Sequence, residues 1–471
     1  MQDRPAAPPP GPRPAPEVGK GAALLIASLS SFLTPFTSSS VNIALPSISR
    51  ELSLDAIELS WVATAYLLAA AMFLVPFGRI SDITGRKKVF RIGITIDVIA
   101  SVLGATSRSG SALIVFRGLQ GLGGAMIFGT GVAILTSVFP AKERGRALGI
   151  SAAATYTGLS VGPLAGGFFT AHIGWRSIFL LNAFIGLIII VAVVWKLAGE
   201  WAEARGEQVD YVGSIIYSLA LVAVMSGFSE LPRLTGAGLI AAGVIGIVAF
   251  ILWELRQEHP VLNIGFFRNN RVFAFSNLAA LINYSATFSV AFLLSLYLQN
   301  IKKLTPEHAG LILIAQPVMM VICSLVAGSL SDRVEPRIIS SIGMTLTTAG
   351  LVLLTFLDGN SALTYVFTSL IVLGIGFGFF SSPNMNAVMS SVERKSYGVA
   401  SGMLGTMRLL GQTFSLGMAL LLFALLIGRV QITPQYFPPF LKSMRIAFGI
   451  SSVLCFAGIF ASAVRGKTHN G

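Results

Sequence analysis

The chain has few of the residues that soluble proteins place on their surfaces. Only 11% of its 471 residues are Asp, Glu, Lys or Arg, whereas 54% are apolar; the charged share is about half that of ordinary soluble domains. The two cysteines, Cys323 and Cys455, both lie inside long apolar runs, where cysteine behaves as a small apolar residue. These shortages exclude a soluble multidomain protein and a fold held together by disulfides.

The sequence also lacks the motifs of nucleotide-binding and catalytic proteins. Its glycine-rich runs lie inside predicted apolar helices rather than after strands, so they do not form phosphate-binding loops. The four histidines, which include His172 and His308 in loops, lack the paired spacing of metal ligands. The net charge of +13 does not indicate nucleic-acid binding, since basic residues are spread over alternate loops. We therefore predict no enzyme activity and no cofactor or metal.

What the chain has instead is a series of long apolar runs. Each run is long enough to cross a hydrocarbon core about 30 Å thick. We predict an all-α polytopic membrane protein with fourteen spans. In chain order the spans are 22–46, 59–79, 88–107, 111–138, 146–170, 176–196, 211–230, 235–254, 272–299, 308–331, 337–357, 361–391, 397–428 and 440–464.

The distribution of Lys and Arg predicts the orientation. If both termini lie on one side, that side holds most of the basic residues, including the cluster at 86–88, and the opposite side holds few. Because basic loops face the cytoplasm, both termini should be cytoplasmic and the cell membrane is the expected location. The Pro- and Ala-rich start of the chain is predicted to be a disordered tail, residues 1–21. No cleavable signal peptide is indicated.

A motif that occurs twice divides the chain into halves. Residues 78–82 (GRISD) follow one apolar run, and residues 328–332 (GSLSD) follow another. A charged turn between two membrane-length helices, repeated in a second half, indicates a duplicated architecture around one central pathway. We predict a six-helix bundle at 22–197, two inserted spans with their loops at 198–271, a second six-helix bundle at 272–465 and a cytoplasmic tail at 466–471.

The glycines near the two repeated motifs support the duplication. A common offset across a whole segment is harder to obtain by chance than isolated matches. Gly121, Gly123, Ser137, Gly145, Ala147 and Gly149 correspond in this way to Gly374, Gly376, Ser390, Gly398, Ala400 and Gly402.

Further motifs, in matching order on matching spans, carry a resemblance to a known family. They are VNIALP at 41–46, Trp61, Tyr66, residues 78–88, RGLQG at 117–121, Gly158, Gly162-Pro163, Gly166-Gly167, Trp175-Arg176, Phe179, Asn182 and YLQ at 297–299. With them the chain resembles the major facilitator superfamily, specifically its fourteen-span drug:proton antiporter branch. The resemblance implies two six-helix bundles plus two inserted helices, and proton-coupled export of a small lipophilic or amphiphilic compound by alternating access.

Two positions depart from the pattern of that branch. The branch usually has an aspartate in span 1, five residues before the asparagine matched by Asn42, whereas this chain has Thr37 there. Its loop motif usually continues with Arg after the aspartate, whereas Ile83 follows Asp82 here. The missing span-1 acid keeps a facilitator or symporter without proton antiport open as an alternative. A non-transporting receptor or scaffold is a third interpretation, although it has no need of a gate.

The loop between spans 2 and 3 is a candidate gate. The resemblance implies that Asp82 meets the start of span 13, 397–401, when the cytoplasmic side is closed, and a carboxylate at a helix N-terminus is favoured by about 0.3–1 kcal/mol. The alternative is a loop that only sets the topology. On span 5, glycines at intervals of four share a helix face that admits a close neighbour, in a mobile contact or in ordinary packing. The candidate gating residues are Gly78, Asp82, Gly85, Arg86, Lys87, Asp332, Arg333, Gly158, Gly162, Pro163, Gly166 and Gly167.

Asp97 is the one acidic residue near the middle of a predicted span. A carboxylate there costs at least about 2.5 kcal/mol on insertion scales. It shares a helix face with Gly93, Ser101 and Gly104, and Arg117 on span 4 is the nearest buried opposite charge. We hypothesise that Asp97 and Arg117 supply the proton coupling. The alternative is a static ion pair, or a protonated Asp97 hydrogen-bonded to a neighbour.

The resemblance places spans 1, 4, 9 and 12 around a central cavity. Without an acid on span 1, strong selection for cations is not indicated, and a neutral, lipophilic or anionic substrate is equally supported. Each polar candidate is equally explained as a helix-to-helix hydrogen bond, worth about 0.6 kcal/mol on average. The expected partners are a small-molecule substrate, protons and the lipid bilayer, and a monomer is expected. The candidate substrate contacts are Phe36, Thr37, Asn42, Gln120, Asn283, Tyr284, Gln316, Asn384, Asn386 and Arg408.

Overall fold

The computed structural model describes the chain from residue 19 to residue 466 apart from short gaps. The described residues are 19–197, 199–202, 204, 206–257, 260–262, 265–331, 333–392 and 397–466. Within these ranges the regular elements are helices, and no strand is present. This confirms the predicted all-α class.

The helices fall into two sets of six spans with a pair between them. The first set is α1 (Lys20–Leu52), α2 (Ala56–Thr84), α3 (Arg86–Thr106), α4 (Gly110–Val138), α5 (Ala141–His172) and α6 (Arg176–Lys196). The inserted pair is α7 (Tyr211–Glu230) and α8 (Leu234–Glu254), followed by the short α9 (Gly265–Asn269). The second set is α10 (Arg271–Thr287), α11 (Ser289–Leu296) with a π-helical turn (Tyr297–Ile301), α12 (Pro306–Leu313), α13 (Ala315–Leu330), α14 (Pro336–Thr355), α15 (Leu363–Ser390), α16 (Tyr397–Leu426) and α17 (Phe437–Val464).

Two of the spans in the second set are interrupted. The ninth span consists of α10, α11 and the π-helical turn, and the tenth consists of α12 and α13. Thirteen spans among the described residues are long and apolar enough to cross a membrane. The remaining predicted span, 146–170, lies in α5, whose 32 residues exceed the necessary length. Its glycines, its proline and its charged first turn lower its hydropathy, so its place in the bundle identifies it as a span.

Several helices begin with a polar side chain that accepts hydrogen bonds from backbone N–H groups of the first turn. Asp55 accepts hydrogen bonds from the backbone N–H groups of Ile57 and Glu58, and the Glu58 side chain accepts from the Asp55 N–H, which forms a capping box at the start of α2. Ser109 and Asn270 accept from backbone N–H groups at the starts of α4 and α10. These bonds satisfy helix donors that would otherwise lack partners.

The second set of helices repeats the packing of the first. In the first set α1 packs on α5 and α6, α4 packs on α2 and α3, and α3 packs on α6. In the second set α10 packs on α16 and α17, α15 packs on α13 and α14, and α14 packs on α17. Each contact in the second set corresponds to one in the first, with α10 in the place of α1. The fold is therefore two six-helix bundles, as the repeated motifs predict.

The inserted pair lies against the seam between the bundles. Helices α7 and α8 pack on each other, and α7 also contacts α2 of the first bundle and α16 of the second. The hydroxyl of Tyr217 on α7 donates to the backbone carbonyl of Ala71 on α2 at 3.0 Å. On the α16 side, Gly417 leaves room for Met225 and Phe228 of α7. Helix α8 stays on the outside, with most of its apolar side chains exposed.

Candidate functional site

A buried network of polar side chains crosses the first bundle and contains Asp97. The Asp97 side chain on α3 is 3% exposed, and its carboxylate accepts a hydrogen bond from Asn182 Nδ2 on α6 at 2.9 Å. The same nitrogen donates to Ser101 Oγ at 2.7 Å. The Thr37 hydroxyl on α1 donates to Asn182 Oδ1. Asn182 therefore joins α1, α3 and α6, and connects the position of the missing span-1 acid to the one mid-span carboxylate.

The network continues to Arg117 through two neutral side chains. Gln120 Nε2 donates to Ser101 Oγ at 2.7 Å, and Gln120 Oε1 accepts from the Arg117 guanidinium at 2.9 Å. Arg117 also donates to a backbone carbonyl of α2 at 3.0 Å and lies 4.5 Å from the centre of the Tyr66 ring. In the described structure the guanidinium and the Asp97 carboxylate are thus joined indirectly. This bonding replaces the direct ion pair that the sequence left open.

The sequence assigns no role to Asn182, which belongs to the motif that begins at Trp175 and continues into α6. A signal was available, because an asparagine inside an apolar 21-residue helix needs polar partners in a medium without water. The sequence alone does not tell which helix supplies those partners.

The predicted substrate contacts do not form one cluster. Thr37 and Gln120 belong to the network around Asp97. Asn384 Oδ1 accepts from the guanidinium of Arg465 at 2.9 Å, at the end of α17. Asn386 Nδ2 donates to Ser331 Oγ at 3.1 Å. These four side chains have partners within their own bundle.

Four other candidates lie in tightly packed surroundings. Phe36 is buried and stacks on Phe32 with 5.3 Å between ring centres. Asn42 is 6% exposed, and its backbone carbonyl accepts from α11. Asn283 is fully buried, and its side-chain amide has no hydrogen-bond partner among the described residues. Gln316 is half-buried, and its backbone carbonyl oxygen would lie 2.4 Å from a Cβ on Gly374.

The last two candidates, Tyr284 and Arg408, are brought together at the seam between the bundles. The Arg408 guanidinium lies 5.7 Å from the ring centre of Tyr284 on α10 and 5.9 Å from that of Phe128 on α4. Tyr284 in turn packs edge-on against Phe377 of α15 at 5.3 Å. Arg408 therefore has an aromatic neighbour from each bundle. An arginine at such a depth costs roughly 2.5–3.5 kcal/mol on insertion scales, which marks it as a candidate functional residue.

The predicted gating turn between α2 and α3 is held by the linker that leads to the inserted pair. Gly85 has a φ of +119°, and a Cβ there would lie 2.5 Å from the Glu200 side chain. The Glu200 carboxylate accepts from the backbone N–H groups of Lys87 and Lys88 at 2.8 and 3.1 Å. The carboxylate therefore provides hydrogen-bond acceptors for backbone N–H groups at the N-terminus of α3 and offsets the partial positive charge of the helix dipole there. The Lys87 ammonium donates to the backbone carbonyl of Leu197.

The side-chain contact that the structure describes for Asp82 lies inside the first bundle. Its carboxylate pairs with the guanidinium of Arg86 one turn later at 2.7 Å. The side chains of residues 397 and 398 lie outside the described residues, so the predicted contact between Asp82 and the start of α16 stays a prediction. In the second copy of the motif Asp332 also lies outside the described residues, and Arg333 is exposed. A Cβ on Gly78 would meet open space.

The glycine face of α5 packs on α1, as the spacing predicts for a close helix contact. A Cβ on Gly158 would lie 2.4 Å from the Phe32 carbonyl oxygen, and one on Gly162 would lie 1.9 Å from Ser39 Oγ. A Cβ on Gly166 would lie 2.7 Å from the backbone oxygen of Ser40. Both helices belong to the first bundle, so this face is a packing contact within one bundle.

The end of the same helix on the side of the bundles opposite the chain termini, here called the outer side, touches the second bundle. A Cβ on Gly167 would lie 2.6 Å from the Pro306 carbonyl oxygen, and one on Gly310 would lie 2.3 Å from the Pro163 carbonyl oxygen. The backbones of α5 and α12 therefore touch, and of the span-5 candidates Pro163 and Gly167 are the two that these contacts place at the seam.

Hydrogen bonds close the rest of the outer seam. Ser295 Oγ donates to the Asn42 carbonyl at 2.8 Å, and Gln299 Nε2 donates to the Ile43 carbonyl at 2.8 Å. Both donors belong to the second bundle and both acceptors to the first. These contacts join the second half of α1 to α11 and the π-helical turn, so the two bundles are in direct contact on this side.

The sequence and the fold are similar to those of known transporters. A family model described as Major Facilitator Superfamily matches residues 27–416 and 276–468. The Riboflavin transporter RibZ of Clostridioides difficile (strain 630) is 29% identical over 93% of this chain and 95% of its own. The Puromycin resistance protein pur8 of Streptomyces alboniger is 31% identical over 81% of this chain and 77% of its own. For the Cephamycin export protein CmcT of Amycolatopsis lactamdurans the values are 30%, 84% and 84%.

Solved structures show the same fold at low sequence identity. A bacterial homolog to the human lysosomal transporter Spinster, in an inward-facing and unoccupied conformation, has a TM-score of 0.69 at 14% identity and covers 95% of this chain and 96% of its own. The nucleoside transporter NupG has a TM-score of 0.63 at 16% identity, covering 93% and 99%. With the family model spanning most of the chain, this multi-pass membrane protein belongs to the Major Facilitator Superfamily and is a secondary transporter.

Proposed function

We propose that the chain exports a small lipophilic or amphiphilic compound in exchange for protons, by alternating access. Relatives named for antibiotic export and resistance support the export direction, and the relative named as a riboflavin transporter supports an aromatic substrate. The duplicated bundles support a mechanism in which they tilt against each other around a central site. The proposed setting is the cell membrane, with both termini cytoplasmic and a monomer as the working unit.

The observation that carries the proposal is the hydrogen bond between Asp97 and Asn182. Asp97 is held by a neutral amide rather than by Arg117, which has its own partners. Protonation of Asp97 therefore breaks no direct ion pair, and Arg117 keeps its hydrogen bonds to Gln120 and to the backbone of α2. Thr37, Asp97 and Asn182 lie on three helices, so a shift of α1 or α6 changes the donors that face the carboxylate. Proton binding and bundle movement are coupled in this way.

The outer contacts and the α2–α3 turn supply the gates of this mechanism. Backbone contact of α5 with α12 and the bonds of Ser295 and Gln299 close the outer end. For export these contacts must break while a contact at the cytoplasmic end forms. The Asp82–Arg86 pair lies at that end. In this mechanism the Asp82 carboxylate moves away from Arg86 and toward the N-terminus of α16, where the helix dipole favours negative charge.

A transporter without proton antiport is the second candidate function. The observation that favours it is Thr37, which has no ionisable group at the position where the drug:proton branch usually has its acid. In this case the network around Asp97 fixes the packing of α1, α3 and α6 and carries no proton.

Flux measurements on purified protein separate the two candidates. The protein is reconstituted in vesicles, and efflux of a dye panel is followed with an imposed proton gradient and without one. Proton antiport predicts accumulation against the dye gradient that disappears when the proton gradient is collapsed. A facilitator equilibrates the dye at the same rate in both conditions. Vesicles that move no dye contradict both functions and favour a receptor or scaffold.

A further inference from the structure

Arg408 is a cation near the middle of the membrane with no opposite charge beside it. It lies well inside α16, whose 30 residues span 397–426. Its side chain is half-buried. Among the described residues it has no hydrogen-bond or ion-pair partner, and its contacts are with the rings of Phe128 and Tyr284. The other mid-span arginine, Arg117, is bonded to Gln120 and to a backbone carbonyl.

Two glycines set the position of Arg408 between the bundles. A Cβ on Gly405 would lie 3.0 Å from the Phe128 ring, and one on Gly411 would lie 2.7 Å from the Leu281 carbonyl oxygen and 2.8 Å from Tyr284 Cβ. Because these glycines precede and follow Arg408 by about one turn, α16 can approach α4 on one side and α10 on the other. The guanidinium is thereby held between an aromatic ring of each bundle.

The charge at this position is not balanced by the rest of the membrane interior. The one carboxylate near the middle of a span, Asp97, is bonded to Asn182 inside the first bundle. A guanidinium in this half-buried position is well matched by an anion, because its planar fork fits a carboxylate or sulfonate through two parallel hydrogen bonds. Flanking rings contact an aromatic body by edge or face.

We infer that the site between the bundles takes an organic anion with an aromatic body, with its acidic group on Arg408 and its aromatic body against the edges or faces of the neighbouring rings of Phe128 and Tyr284. This inference rests on the proposed function, because it assigns the class of substrate that the exporter moves. A ligand in this position contacts α4 of the first bundle and α10 and α16 of the second. Its binding therefore bears on the tilt between the bundles.

Equilibrium binding to the purified full chain tests the inference with three matched probes. The probes are 1-naphthalenesulfonate, neutral 1-naphthalenemethanol and cationic 1-naphthylmethylammonium, measured by calorimetry in detergent. The wild type should bind the sulfonate most tightly. Arg408→Gln should weaken sulfonate binding by about tenfold or more, since a hydrogen bond to a charged group is lost, and should leave 1-naphthalenemethanol within about twofold of the wild type. Arg408→Lys should retain part of the preference.

A matched control and a separate flux assay make every outcome decisive. Lys442→Gln removes an exposed cation from α17 and should leave sulfonate binding unchanged. Sulfonate affinity that is the same in Arg408→Gln and the wild type overturns the inference, as does a wild type that prefers the cation or binds none of the probes. Variants are compared only after each elutes as a monodisperse protein, and Arg408→Lys covers a failure of Arg408→Gln to fold. Vesicles that transport the neutral probe without any sulfonate preference refute the inference alone. Vesicles that transport nothing refute the proposed function.

Discussion

Asn182 donates a hydrogen bond to the Asp97 carboxylate at 2.9 Å and thereby ties α6 to α3 inside the first bundle. The amide oxygen of the same residue accepts from Thr37 on α1. A carboxylate at this depth is thus connected to the helix that carries the coupling acid in the branch the chain resembles.

Asp97→Asn is expected to abolish proton-driven accumulation while leaving dye binding intact. The amide keeps the shape of the side chain and removes the proton that the carboxyl exchanges. The measurement is dye efflux and internal pH in reconstituted vesicles. Glu143→Gln is the control, because Glu143 forms an exposed pair with Lys20, which contributes little to stability. Intact proton flux in Asp97→Asn would make Asp97 a structural residue.

Moving the acid to α1 is expected to restore coupling. In Thr37→Asp combined with Asp97→Asn, the new carboxylate lies beside Asn182, which already contacts both positions. Proton-driven flux should return in the double variant relative to Asp97→Asn alone. A double variant that folds and binds dye but stays uncoupled argues against Asn182 as the link. Thr37→Val, which removes the hydroxyl that bonds to Asn182 and to the Leu33 carbonyl, should lower stability by about 1 kcal/mol in thermal unfolding.

A crosslink across the outer seam is expected to stop transport, whereas a crosslink within one bundle is not. Gly167→Cys with Glu307→Cys joins α5 to α12, since a Cβ on Gly167 would lie 3.0 Å from Glu307 Cα. Gly166→Cys with Ser40→Cys is the matched control, because that pair joins α5 to α1 at 2.8 Å between the corresponding atoms.

Both pairs are made in a background without the native thiols, which are free and buried. Oxidation should block flux in the first pair alone, and reduction should restore it. Undiminished flux through a fully crosslinked seam contradicts alternating access by bundle tilt.

Gly162→Ala is expected to destabilise the first bundle. The added Cβ would lie 1.9 Å from Ser39 Oγ and 2.9 Å from Ser39 Cβ, and such overpacking costs about 1–3 kcal/mol. Thermal unfolding in detergent measures the effect. Gly118→Ala is the control, because a Cβ there meets nothing within 4 Å and alanine favours a helix over glycine by about 1 kcal/mol. Equal melting temperatures for the two variants would show that α1 and α5 separate easily.

Asp82→Asn is expected to stop transport without affecting membrane insertion. The change removes the charge that pairs with Arg86 and that the proposed mechanism directs toward the start of α16. Flux and the yield of folded protein are measured together. Glu207→Gln serves for comparison, since Glu207 pairs with Arg79 in the same region. Normal flux in Asp82→Asn would show that this loop sets the membrane topology and is not a gate.

The arrangement of the fold was predictable from the sequence because apolar runs and repeated motifs are local signals. Hydropathy marks each span independently of the others, and the motif repeat relates the halves without any contact being known. Helix α5 shows the limit of hydropathy, since the glycines that let it touch α1 and α12 also lower its apolar content. The sequence still predicts it as the span 146–170, and the structure has a helix of sufficient length there, between α4 and α6.

The network around Asp97 was only partly predictable. Helical spacing puts Ser101 on the face of Asp97, and Arg117 was a reasonable partner by depth alone. Sequence distance does not show that Asn182 on α6 donates the hydrogen bond to the Asp97 carboxylate, or that Gln120 accepts the hydrogen bond of the Arg117 guanidinium. Those facts depend on how four helices are rotated about their axes. Such rotations follow from tertiary packing and leave no periodic trace in the sequence.

The linker between α6 and α7 binds the α2–α3 turn at several points. The Glu200 carboxylate accepts hydrogen bonds from backbone N–H groups in the first turn of α3. The Trp201 carbonyl accepts from the Arg86 N–H at 2.8 Å, and the Asp82 carbonyl accepts from the Ala204 N–H at 3.0 Å. The inserted helices are consequently bonded to the first bundle through this linker, while Arg429, just after α16, pairs with Glu230 at the end of α7 and bonds them to the second bundle as well. A tilt of the bundles therefore has to break either the contacts of this linker or those that α7 makes with Arg429 and with α16, where Gly417 admits Met225 and Phe228.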